Sequence, residues 1–133
     1  VWSVTSYKEL YRDGHDTDRW NLLHPEARHK LPYVTRAIAN SPGVCVAATD
    51  YMKALPDTIS RWLHRPFVSL GTDGYGRSDS RAALRNFFEV DARFVTLATL
   101  TLLAREKQID VGIVKQAMRD LDIDPSKPNP VTT

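Results

Sequence analysis

Apolar positions along this chain fall into two patterns, short continuous runs and longer stripes at helical spacing. Val44-Cys-Val-Ala-Ala48 and Phe67-Val-Ser-Leu70 are the continuous runs. Both have strand length, and an unbroken apolar strand suits a sheet covered on both faces. Val1-Trp-Ser-Val-Thr5 reads as a third strand, already under way at the first residue, which implies missing upstream sequence. Ser6-Tyr-Lys-Glu9 has the capping-box form, with Ser6 on the N3 amide and Glu9 reaching back. The helix it opens is expected to bury Tyr7, Leu10 and Tyr11 and to close at Gly14. Residues 15–30 are polar and read as a loop anchored by Trp20, Leu22 and Leu23. Pro32 suits a first helical position, and Tyr33, Val34, Ala37 and Ile38 form the stripe that follows.

After the Val44–Ala48 strand, Thr49 or Asp50 is expected to cap a segment from Tyr51 to Leu63, interrupted or delayed by Pro56. The Phe67–Leu70 strand runs into Gly71-Thr-Asp-Gly-Tyr-Gly-Arg-Ser-Asp-Ser-Arg81. Gly71, Gly74 and Gly76 permit positive φ or close backbone approach. Ser78, Asp79 or Ser80 can cap the helix Arg81–Phe88, whose stripe is Leu84, Phe87 and Phe88. Strand, glycine bend and capped helix make the βα corner of an open α/β sheet, and partners or ligands meet such sheets at the carboxyl ends of the strands. The spacing is neither a Walker loop nor G-x-G-x-x-G, so no phosphate site follows from it. Asp91 caps an apolar helix Ala92–Lys107, which packs under other elements or contributes to an interface. Asp110 caps the last helix, and the Pro-rich tail 125–133 is expected to trail into solvent. Helix-bearing connections between strands point to a mostly parallel sheet with helices on both faces.

Charge narrows the possibilities. The 133 residues carry a net charge of +2, with basic residues scattered rather than gathered, so nothing argues for a nucleic-acid partner. No apolar run is long enough to span a bilayer and no signal peptide opens the chain. Cys45 is the only cysteine, which excludes an internal disulfide and fits a reducing, cytoplasmic setting. Its place inside a strand favours a buried, inert thiol. Asp13, Asp16 and Asp18 lack the glycine and closing glutamate of an EF-hand. His15, His24 and His29 have no cysteine partner and read as loop histidines, not metal ligands.

Several runs resemble a known family. These are Ser3–Ser6, Arg12-Asp-Gly14, Arg19-Trp-Asn-Leu-Leu-His-Pro25, Thr49-Asp-Tyr-Met-Lys53, Leu70–Arg81 and Phe88-Glu-Val-Asp91. Together they resemble the C-terminal domain of the homodimeric pyruvate dehydrogenase E1 component. The resemblance implies an α/β, three-layer αβα fold with a mostly parallel sheet, transketolase C-terminal-like and lacking its first strand and helix. Residues 1–124 would be that partial domain.

The resemblance further implies a bacterial, cytoplasmic enzyme that uses thiamine diphosphate and Mg²⁺. It decarboxylates pyruvate and reductively acetylates the lipoyl group of the E2 dihydrolipoyl acetyltransferase. Its cofactor and catalytic residues would lie upstream, so no catalytic, cofactor or metal residue is assigned within this chain, and the fragment alone is expected to be inactive. The partners implied are the rest of the E1 subunit, the second E1 subunit and E2. The residues expected to form an interface or structural loop are Gly71, Thr72, Asp73, Gly74, Gly76, Arg77, Ser78, Asp79 and Arg81. Asp73, Arg77, Asp79 and Arg81 would supply charge-assisted bonds to a neighbouring domain or subunit. The alternatives are a stand-alone interaction module and a small-ligand site at Gly71–Gly76.

Overall fold

The computed structural model describes residues 1–133. The chain forms two compact units, Val1–Gly43 with Ala54–Arg65, and Val44–Lys53 with Pro66–Thr133.

The first unit is helical. Helix α1 runs Tyr7–Leu23 and α2 runs Tyr33–Ile38, with a short α3 at Ala54–Asp57 and a 3₁₀ turn at Ser60–Trp62. Ser6 caps α1 as expected, its Oγ accepting from the Glu9 amide at 3.2 Å. The Glu9 carboxylate turns away to Arg12, at 3.1 Å, so only half of the capping box forms.

Three sequence expectations fail in this unit. Gly14 does not close α1, which continues through residues expected to be loop. The reason is Trp62. A Cβ on Gly14 would lie 2.5–2.6 Å from the Trp62 indole, so the ring rests on bare helix backbone. Residues 1–5 form no strand: the sheet has two strands, and neither includes them. Leu22 and Leu23, expected as anchors, are exposed, as is Tyr11.

Trp62 is the hub of this unit and is 3% exposed. Its Nε1 donates to Asp18 Oδ2 at 3.0 Å, Arg61 pairs with the same oxygen, and Tyr11 and His15 meet the ring edge-on. Thr35 Oγ1 donates to the Trp62 carbonyl at 2.6 Å, tying α2 to the 3₁₀ turn. Asp13 accepts from the Tyr33 amide at 2.6 Å, linking α1 to the first turn of α2. The Arg65 guanidinium donates to the carbonyls of Ile38 and Ser41, satisfying the C-terminal end of α2.

In the second unit, β1 (Cys45–Ala48) and β2 (Phe67–Leu70) pair in parallel, Cys45 opposite Phe67 and Ala48 opposite Leu70. Helices α4 (Arg81–Phe87), α5 (Ala92–Arg105) and α6 (Val111–Asp120) follow. Helix α5 packs on both strands, and α6 packs on α5. The fold is therefore α/β with a small parallel sheet, as expected, but with two strands where three were expected. Cys45 is half-buried, not enclosed, because so narrow a sheet gives it less cover. The Tyr51–Leu63 segment holds only α3 and the 3₁₀ turn, and Thr49 caps neither. Its Oγ1 instead accepts from the Tyr51 amide in a local turn.

Asp91 caps α5, its Oδ1 accepting from the amides of Arg93 (3.0 Å) and Phe94 (3.3 Å). The Arg93 guanidinium closes on the other carboxylate oxygen at 2.8 Å. Burial works against the charged form of Asp91, but the bonds from Arg93 and the two amides outweigh it and hold its carboxyl below the usual aspartate value.

Two outcomes follow from this packing. Gly14→Ala should lower stability by about 1–3 kcal/mol through overpacking against Trp62, although alanine is the better helix former; denaturant unfolding of the protein reads this. The Asp91 contribution should be complete above its unfolded pKa, about 3.9, and vanish as pH falls through its lower folded value. Asp91→Asn keeps a capping oxygen, so in pH-dependent unfolding it should flatten the acid limb while leaving the cap.

Candidate functional site

The carboxyl ends of β1 and β2 leave the sheet side by side, and the glycine-rich corner is built where their loops meet. Gly71 is buried at the end of β2. A Cβ there would stand 2.6 Å from the Tyr51 carbonyl oxygen and 2.9 Å from the Lys53 amide, both backbone atoms that cannot swing aside. The Thr72 amide donates to the Tyr51 carbonyl at 2.9 Å, and Thr72 Oγ1 donates to the Asp50 carbonyl at 2.6 Å. Asp73 Oδ1 accepts from the Lys53 amide at 3.0 Å, and its second oxygen lies 3.9 Å from Lys53 Nζ. Arg85 reaches back from α4 to Asp50 at 3.7 Å and donates to the Val90 carbonyl at 3.0 Å. Residues 71–73 are thus braced from the β1 loop.

Beyond Asp73 the support changes. Gly74 has φ +89°, and a Cβ there would stand 3.3 Å from the Cα and carbonyl oxygen of Val131. Tyr75 projects with 92% of its surface exposed. Gly76 stands in open space, so neither crowding nor a left-handed φ requires glycine there. Arg77 donates to the Thr133 carbonyl at 3.0 Å and stacks over Phe87 at 4.1 Å. The helix cap is Ser80, whose Oγ accepts from the Ala83 amide at 3.3 Å, while Asp79 accepts from the Ser80 amide at 2.6 Å. An open cleft of about 260 Å³ lies along Arg77, Ser78, Asp79 and one side of α4.

The four charges expected to bond outward divide. Asp73 and Arg77 are used within the corner, Asp79 orders the helix start, and Arg81 is exposed with no hydrogen bond or ion pair. Sequence reasoning missed Asp50, Lys53, Arg85 and Lys127. The first two had a signal, since neighbouring parallel strands place their following loops at one sheet edge. Lys127 had none. The tail expected to trail away instead folds back, the Lys127 amine donating to the Asn86 and Phe87 carbonyls at the end of α4. The candidate histidines serve packing or local polar contacts: His15 against Tyr11 and Trp62, His24 stacked on Trp20, His29 beside Asn21.

The family model described as the transketolase-like TK C-terminal domain matches residues 1–91, which include the whole corner. The chain belongs to this family. Similar proteins include the pyruvate dehydrogenase E1 component of Pseudomonas aeruginosa, 47% identical over 132 residues, covering 98% of this chain and 15% of that protein. That of Cupriavidus necator is 44% identical over 132 residues, covering 99% of this chain and 15% of the relative. That of Escherichia coli K12 is 45% identical over 131 residues, covering 98% and 14%. The chain therefore spans about 15% of the length of these relatives.

The two glycines at the ends of the corner should respond differently to alanine. Gly71→Ala should cost about 1–3 kcal/mol as the β1 loop is forced away, whereas Gly76→Ala should stay within about 0.5 kcal/mol. Denaturant midpoints of the two variants test the contrast.

Proposed function

We propose that this chain is an assembly domain of a pyruvate dehydrogenase E1 subunit, and that its Gly71–Arg81 corner meets a neighbouring domain or the second subunit of a homodimer. The observation that carries the reading is identity of 44–47% to E1 components over 98–99% of the chain. In this reading the full subunit is a cytoplasmic bacterial enzyme that uses thiamine diphosphate and Mg²⁺. It decarboxylates pyruvate and passes the acetyl group to the lipoyl arm of E2.

No group of three or more His, Cys, Asp or Glu side chains converges in this chain. The reading assigns cofactor binding to the part of the subunit outside this chain. What this chain offers is a rigid edge. Gly71, Thr72 and Asp73 are spent on holding the two loops together, while the left-handed Gly74 shapes the turn that follows. Ser78, Asp79 and Arg81 lie exposed beside Arg77, where a facing carboxylate can meet Arg81 and a facing cation Asp79.

Arg81 is the informative position because its exposed side chain makes no hydrogen bond or ion pair within the chain. Arg81→Ala in the full-length subunit should leave unfolding unchanged and raise the dimer dissociation constant about tenfold, the loss of one charged interface contact. Adding Asp73→Ala, which loosens the corner from within, should weaken the dimer further. Analytical ultracentrifugation of the full-length protein reads both, and dimers as tight as the parent in both variants would overturn the assembly role.

A further inference from the structure

The residues that end the chain do something the corner cannot do for itself. Lys127 Nζ donates to the carbonyls of Asn86 (2.9 Å) and Phe87 (2.8 Å) and pairs with Glu89 at 3.2 Å. It also stands 5.8 Å from the Phe87 ring centre and 5.2 Å from that of Phe94. Helix α4 ends here, in a left-handed residue, Glu89, with φ 61°. A cation on the last carbonyls of a helix satisfies acceptors that have no partner in the helix and opposes the negative end of its dipole.

Four residues later the same segment reaches the other end of the corner. Asn129 organises a compact turn, accepting from the Val131 amide at 3.0 Å on its side chain and from Thr132 and Thr133 on its carbonyl. That turn places the Val131 backbone against Gly74 and the Thr133 carbonyl under the Arg77 guanidinium. Residues 74–89 are thus gripped at both ends by one strap. Residues 71–73 are held instead by the β1 loop, through Tyr51, Asp50 and Lys53.

We infer that segment 124–133 is a conformational strap for the outer half of the corner: docked, it fixes Gly74–Arg81 and the end of α4, and undocked, it frees them while Gly71–Asp73 stay in place. The corner then has two independent supports with a joint between Asp73 and Gly74. The left-handed Gly74 sits at that joint, where glycine admits a change of backbone direction at least cost. Whatever displaces the strap, a competing carbonyl-rich surface or loss of the Lys127 charge, changes the shape presented by Tyr75, Arg77 and Arg81 without disturbing the sheet.

The test uses two variants of the full-length subunit, Lys127→Met and a replacement of residues 125–133 by a Gly-Ser run of equal length. Trypsin cleavage after Arg77 reports the outer half, and cleavage after Lys53 reports the inner support. Proteolysis in the fast-opening regime follows the population of the open form. Loss of the charge-assisted bonds should therefore raise cleavage after Arg77 about tenfold, with cleavage after Lys53 unchanged. No rise after Arg77 in either variant would overturn the strap. So would an equal rise at both sites in Lys127→Met, since the segment would then be general ballast. The dimer constant of the same variants is read separately: a tight dimer with a loosened Arg77 loop leaves the strap standing and removes the assembly role.

Discussion

Everything in the sheet-bearing unit depends on how closely two backbones approach at one point. Parallel neighbours release their following loops at the same edge, so the chain leaving β2 must pass the chain leaving β1. At Gly71 the gap is smaller than a methyl group, and the Tyr51 carbonyl and Lys53 amide fill it. That contact lets Thr72 and Asp73 bond to the β1 loop, and those bonds aim the chain toward α4. A larger side chain would separate the loops and tilt every element after them.

The first unit solves a similar problem with a different pair. Gly14 and Trp62 come from segments far apart in sequence, and the missing side chain of one is filled by the ring of the other. Glycine inside a helix weakens it by roughly 1 kcal/mol relative to alanine. Burying an indole and satisfying its Nε1 on Asp18 offsets that cost. The glycine is a packing surface, not a terminator.

This pair also marks the boundary of what could be read without coordinates. Periodicity located α2, both paired strands and the last three helices, and the short polar residues Ser6, Ser80, Asp91 and Asp110 do cap helices. Those features are local, set by a few neighbouring residues. The failures are tertiary. Gly14 has the local signature of a helix end, and only a ring from residue 62 makes it an interior position. Val1–Thr5 has the pattern of a strand, but a strand exists only with a partner to bond. Within the corner, the backbone roles of Gly71 and Gly74 were legible as a demand for glycine, whereas Gly76 shows no such demand. The outward charges were half legible, because pairing partners such as Lys53 and Lys127 lie distant in sequence.

The position of Lys127 has a consequence for how the chain matures. It bonds residues 40 and 41 positions earlier, and Arg77 is matched to a carbonyl 56 positions later. On a ribosome adding about 5–20 residues per second, the corner is made roughly 2–10 seconds before the segment that grips it. During that interval the Phe87 carbonyl at the end of α4 lacks Lys127 and Arg77 lacks the Thr133 oxygen, while the β1–β2 pair can already close. The outer half of the corner is therefore a late-maturing element. A nascent chain carries it in open form until synthesis passes Lys127, and chaperones or proteases that sample nascent chains meet it in that state.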